Sequence, residues 1–240
     1  MSDARNQILA GIRKSLGRGA DDATRGNPLE ARLAARGRGP IPARTAGLDR
    51  AGLVDRLEKQ AREVACSVTR VRSLDEVPAE LGRYLKSQNL PSQVEMAPDP
   101  TLDRVPWRNA PMLEIARGRP SGKEGVGVTS AFAAVAETGT LMIPSGETMP
   151  ATMNFLPDTH VVVMPAARVV GPLEDAWARL RVALGIPDGA AVGAAAGRMP
   201  RTVNLITGPS RTGDIEQKIE MGAHGPRRLH LIVVEDDTLA

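Results

Sequence analysis

Glu137 stands in "AVAETGT", a carboxylate inside a run of small and apolar residues. Thr138, Gly139 and Thr140 follow it as a compact turn, and "LMIPSG" leads on to Ser145 and Gly146. Two roles are open to such a carboxylate. It can accept backbone N–H groups of its own turn, or it can act as a nucleophile or general base whose pKa the apolar surroundings raise. A second cluster is "NLITGPSRTGDIEQKI": a strand running into Gly208, Pro209 and Ser210, with Arg211, Thr212 and Asp214 close behind. If a helix begins near Gly213 or Asp214, its free N–H groups, Ser210, Thr212 and Arg211 converge on an anion. The plainer alternative is a capped loop, with Thr212 or Asp214 as cap and Glu216 as its partner. Neither a P-loop ending nor the third glycine of a dinucleotide fingerprint is present.

The histidines form the third group. His160 opens "HVVVMP" after "FLPDT", and His224 lies in "MGAHGP"; both are expected on loops, as proton donors or hydrogen-bond anchors. His230 is expected inside a strand as a structural residue. Without HxH or HxxxH spacing they predict no metal site.

These groups need a scaffold. Apolar β-branched runs such as "CSVTRV", "HVVVMP" and "RLHLIVVED" alternate with amphipathic stretches such as "LDRAGLVDRLEKQAREVA", "SLDEVPAELGRYLKSQ" and "GPLEDAWARLRVALG". That pattern predicts an α/β fold, a mostly parallel sheet flanked by helices. Ligands of such sheets are expected beyond the carboxyl ends of the strands. "GVGVTSAFAAVAETGT" is read as strand, short helix and turn, "TLMIPSG" and "TVNLITG" as strands, and "DIEQKIEMG" as a helix; residues 97 to 121 are Pro-rich and irregular, with "MLEIA" as a short strand. Residues 3 to 16 have helical apolar spacing, and 17 to 47 are rich in Gly, Pro, Ala and Arg. The expected division is therefore an N-terminal helical arm, 1 to 47, and an α/β domain, 48 to 240. "DGAAVGAAAG" is expected to be a surface loop.

Composition narrows the function. Residues 1 to 50 hold ten basic against five acidic side chains, so the positive excess sits in the arm, a candidate for docking partners or a second copy of the chain. Five aromatics in the whole chain are too few for nucleic-acid stacking platforms, and no nucleic acid is expected. No run reaches the ~20 apolar residues of a membrane span, and the charged start lacks a signal core, so the expected location is cytoplasmic. The single Cys66 cannot supply a disulfide framework or the thiolates of an iron–sulfur cluster.

"AETGTLMIPSG", "NFLPDTHVVVMP" and "TGPSRTGDIEQKIEMGAHGPRRLHLIVVED", in this order and spacing, resemble the lactate-utilisation (LUD) family and, within it, the stand-alone C-type subunits. The resemblance is strongest from Gly125 to Asp236. It implies a NagB/RpiA/CoA-transferase-like fold and a cluster-free subunit working with iron–sulfur partner subunits that oxidise L-lactate to pyruvate. It implies no cofactor in this chain. Glu137 and His160 are then candidate catalytic groups, and Thr138, Gly139, Thr140, Ser145, Gly146, Gly208, Pro209, Ser210, Arg211, Thr212, Asp214 and His224 candidate ligand contacts. Glu137-Thr138-Gly139 is also similar to the Glu-X-Gly turn of CoA transferases, which leaves an acyl- or CoA-transferring enzyme with Glu137 as nucleophile as one alternative. A non-catalytic scaffold or regulator is another.

Overall fold

The structure is a computed structural model that describes residues 2–17, 31–32, 35, 39–118, 125–186, 197–215 and 218–236. Most of the expected 17–47 arm, the 188–197 loop and Glu216 lie outside the described residues. The chain divides into two compact units, one of residues 1–38 and 181–198, the other of 39–180 and 199–240. In the first, α1 (Ser2–Ser15) carries the amphipathic pattern, and Ile8, Ile12 and Leu16 are exposed. Among the described residues no helix is long and apolar enough to cross a membrane.

The second unit is built on a six-stranded sheet. Its strands are β1 (Ser67–Val71), β2 (Gln93–Met96), β3 (Glu114–Arg117), β4 (Val126–Ser130), β7 (Thr159–Pro165) and β12 (Arg228–Val234). They lie in the order β1-β12-β7-β4-β2-β3, and every neighbouring pair is parallel. Because side chains alternate across a strand, the two faces sort by register. Val161, Val163, Ile232 and Val234 join one core, closed by Val77, Leu81 and Leu85 of α3 (Val77–Ser87). Val162, Met164, Leu231 and Val233 join the other, closed by Val54, Leu57 and Ala61 of α2 (Arg50–Glu63). The α2 helix starts at Asp49, whose carboxylate accepts from the Gly52 N–H at 2.8 Å.

The sequence reading and the structure part company in four places. "TLMIPSG" and "TVNLITG" enter a second, four-stranded sheet, β8-β5-β6-β9, made of β8 (Val169–Val170), β5 (Ala133–Val135), β6 (Thr140–Pro144) and β9 (Val203–Ile206). The short helix expected before Glu137 is β5, antiparallel to β6. Its alanines favour a helix locally, but Ala133, Ala134 and Ala136 are fully buried, and small side chains let one sheet pack closely against the other. The helix expected over "DIEQKIEMG" is instead a hairpin of β10 (Arg211–Ile215) and β11 (Lys218–Met221), with Thr212 opposite Glu220. Lys218, Ile219, Glu220 and Met221 alternate polar and apolar, the period of a strand, and Gly213 falls within the register shift between Thr212 and Ile215. Among the described residues, no helix therefore begins after Ser210 in this loop. Fourth, the irregular stretch from 97 holds a short helix, α4 (Pro100–Asp103), ahead of β3, which overlaps the strand expected at "MLEIA". A further helix, α5 (Leu173–Ala183), follows β8 with Glu174 and Asp175 in its first turn. Cys66 is buried, and burial pushes its thiol up to about 12, an inert packing group.

Candidate functional site

Two turns rest on the carboxyl-terminal end of α2. At Gly139, with φ of 70°, a Cβ would fall 2.7 Å from the Ala61 backbone nitrogen; at Gly208, with φ of 79°, it would fall 2.4 Å from the Val64 carbonyl oxygen. Glycine at these positions lets both turns lie directly on helix backbone. They are joined by hydroxyls: Thr138 Oγ1 lies 2.7 Å from Thr140 Oγ1, which lies 2.7 Å from Thr207 Oγ1. Pairing of Leu141 with Ile206, between β6 and β9, sets this contact. Within the first turn the Glu137 N–H donates to Gly171 O (3.2 Å) and the Gly139 N–H to Val135 O (2.9 Å). The Glu137 carboxylate, half-buried, accepts no hydrogen bond among the described residues, so it is not holding its own turn together.

The loop after β9 meets the loop before β12. The Ser210 N–H donates to Pro226 O (2.8 Å), and Ser210 O accepts from the Gly222 N–H (2.9 Å). That exchange explains why "GPSR" and "GAHGP" belong together despite their separation in sequence. Between them and the start of β7 lies a cleft of about 260 Å³ lined by Gly208, Pro209, Ser210, Arg211, His160 and His224 of the expected residues, and by Asn154 and Thr207, which sequence reasoning missed. Glu137, Thr138, Thr140 and Thr212 do not line it. Ser145 and Gly146 close the opposite end of β6, where Ser145 exchanges hydrogen bonds with Thr202, roughly 17 Å along the strand from Thr140. Asp214 lies on β10; its side chain is outside the described residues.

The cleft opens at the amino ends of β7 and β12, since His160 and Leu229 are the second residues of those strands. His160, expected on a loop, is therefore a strand residue, and this cleft lies at the end of the sheet opposite to the carboxyl ends where a ligand was expected. At the carboxyl ends, Asp99 accepts from Ser130 Oγ (2.7 Å) and the Thr101 N–H (2.6 Å), and Arg168 donates to Ala131 O (3.0 Å) and Thr101 Oγ1 (2.8 Å). These groups are satisfied internally, and a second cleft of about 400 Å³, lined by Arg70, Ala166 and Glu235, opens at the carboxyl ends of β1, β7 and β12. At the amino ends, Asn154 is 2% exposed with Nδ2 and Oδ1 both unpartnered among the described residues. His160 is 1% exposed; its Nε2 lies 2.8 Å from Thr129 Oγ1, and its Nδ1 has no partner. Buried polar atoms without partners cost about 1–3 kcal/mol each, so a cleft that gathers three of them is suited to a polar ligand. Arg211 is exposed at the rim, where its charge makes the mouth favourable to an anion, and His224 is exposed beside it as a hydrogen-bonding group.

Burial alone pushes His160 down to about 4, so the ring is neutral at neutral pH. His230, on the other face, stacks on Tyr84 with ring centroids 3.8 Å apart, and its Nδ1 lies 2.8 Å from Ser67 Oγ. Glu80 is 3.7 Å from its Nε2, but Arg83 binds both Glu80 oxygens, and burial pushes His230 down to about 4 as well. An unfolded chain titrates these rings near 6.5, so below that pH the unfolded state binds protons the folded state refuses, and stability falls as pH falls toward 4. Between neutrality and about pH 5.5 each histidine should cost about 1 kcal/mol of stability. Thermal melts over that range should show a falling Tm, and His160→Gln should flatten the dependence; an unchanged Tm would show that the rings protonate freely in the fold.

Residues 54–234 match the sequence model of the LUD domain family. Among curated proteins, the chain is 35% identical over 111 residues to Lactate utilization protein C of Geobacillus thermodenitrificans and 32% identical over 111 residues to that of Bacillus subtilis. Each alignment covers 46% of this chain and 42% of the relative, and the chain spans about half the length of the curated relatives it matches. Of solved structures, a DUF162 family protein from Deinococcus radiodurans superposes with a TM-score of 0.54 at 19% identity, over 78% of this chain and 99% of that one, a likeness of fold. Because the family match begins inside α2, on which both turns rest, and runs to the last residue of β12, the chain belongs to the LUD domain family.

Proposed function

We propose that this chain serves lactate utilisation as a cluster-free subunit that holds a small carboxylate, L-lactate or pyruvate, in the cleft at the amino ends of β7 and β12. Oxidation of lactate to pyruvate releases two electrons and two protons, and iron–sulfur partner subunits take the electrons in this reading. The observation that carries it is the gathering of Arg211, Ser210 and His224 above the buried, neutral pair Asn154 and His160. A cationic rim suits a carboxylate, and a polar floor suits the remainder of a small polar acid. The name of the relatives, Lactate utilization protein C, supports the choice of acid. Glu137 is not a ligand contact in this reading. Its carboxylate sits on the neighbouring turn, tied to the cleft only through Thr138, Thr140 and Thr207.

The test is growth on L-lactate of a strain lacking this gene, complemented with wild type, Glu137→Gln or Arg211→Gln at matched expression. Wild type and Glu137→Gln should restore growth, and Arg211→Gln should not. Failure of wild type to restore growth would remove the lactate role, and full growth with Arg211→Gln would remove the cleft from it. Growth lost only with Glu137→Gln would return the chemistry to that carboxylate.

A further inference from the structure

We infer that Asn154 and His160 recognise the oxygen on carbon 2 of the bound acid, and that they take it equally as a hydroxyl or as a keto group. The inference rests on the reading of the cleft as a carboxylate site and names what its floor selects. Asn154 ends a 3₁₀ turn, Ala151–Asn154, in which Met153 is fully buried and Asn154 itself 2% exposed. A carboxamide carries two donor hydrogens and an accepting oxygen, and neither end is engaged among the described residues. It can donate to a keto oxygen or accept from a hydroxyl.

His160 has the same freedom for a different reason. Thr129, fully buried, is the partner of its Nε2 and does not line the cleft, so Nδ1 is the ring nitrogen left for a ligand. A threonine hydroxyl both donates and accepts. When Thr129 donates to Nε2, the imidazole proton sits on Nδ1 and donates to a keto oxygen. When Thr129 accepts from Nε2–H, Nδ1 offers its lone pair to a hydroxyl proton. The two arrangements are the two neutral tautomers of one ring: exchanging them takes the proton off Nδ1 and puts one on Nε2 while the Thr129 hydroxyl turns to match, so the floor is donor in one and acceptor in the other and the ring stays uncharged in both. A 2-hydroxy acid and the 2-oxo acid made from it differ in this property and share their carboxylate. An acid with only hydrogen at carbon 2 leaves Asn154 and Nδ1 unpaired in a desolvated site, and it pays the corresponding loss of affinity.

The experiment is calorimetric titration of the full chain with L-lactate, pyruvate and propionate, which share three carbons and a carboxylate. L-Lactate and pyruvate should bind within about threefold of each other, and propionate about tenfold or more weakly. Asn154→Leu, similar in volume, should bring all three within about threefold while leaving Tm unchanged or raised, because it removes an unpaired buried amide. Equal binding of propionate by the wild type overturns the inference and leaves the carboxylate cleft standing. A tenfold preference between L-lactate and pyruvate overturns the interchangeable floor. Binding of none of the three overturns the carboxylate reading and this inference with it. Since the wild-type comparison decides the matter alone, a poorly folded Asn154→Leu protein does not protect the inference.

Discussion

Gly139→Ala should destabilise the protein by about 3 kcal/mol, since a left-handed backbone costs an alanine roughly 1–2 kcal/mol and overpacking adds roughly 1–3 kcal/mol. At that residue φ is 70°, and the new Cβ would lie 2.7 Å from the Ala61 nitrogen and 2.9 Å from the Gln60 carbonyl carbon. Both are backbone atoms within α2, which cannot swing aside as a flexible side chain would. Denaturant unfolding checks it, with Gly146→Ala as the comparison. Gly146 has open space where its Cβ would be, and that substitution should stay within about 0.5 kcal/mol of wild type. Similar losses at the two sites would mean that the Glu137 turn does not rest on α2.

Arg211→Gln should weaken binding of pyruvate and L-lactate about 30-fold, the scale of one charge-assisted hydrogen bond, with Tm within a degree or so of wild type. The guanidinium is exposed at the rim of the cleft and makes no ion pair among the described residues, so the substitution breaks none there. Arg211→Lys should recover part of the affinity, because charge is retained and the two-pronged donor geometry is lost. A screened surface charge would instead give a severalfold effect that disappears at high salt.

The six-stranded sheet was legible because β-branched runs such as "HVVVMP" and "RLHLIVVED" have few other ways to bury both faces. The loops were legible as chemistry because Gly, Ser and Arg crowd into "GPSR". What escaped depended on tertiary pairing. An alanine-rich segment reads as helix until a second sheet packs on it, and "RTGDIEQKIEM" has helix-forming residues whose two-residue alternation decides the outcome. The cleft at the amino ends escaped for the same reason. At the carboxyl edge, Asp99, Ser130, Thr101 and Arg168 bind one another across loops far apart in sequence. Asn154 carried a faint signal, an amide between Met153 and Phe155 just ahead of a strand, and Thr129 and Thr207 had none, since their meaning lies in contacts made across strands.

The measurement that bears most directly on the cleft as a carboxylate site is a nitrogen-15 NMR titration of the full chain with pyruvate. Saturable shifts are expected in the Asn154 side-chain amide, the Ser210 and Arg211 backbone amides and the His224 ring, with the Thr202 amide, at the far end of β6, unmoved. Shifts confined to Glu137, Thr138 and Gly139, or none at saturating pyruvate, would contradict it.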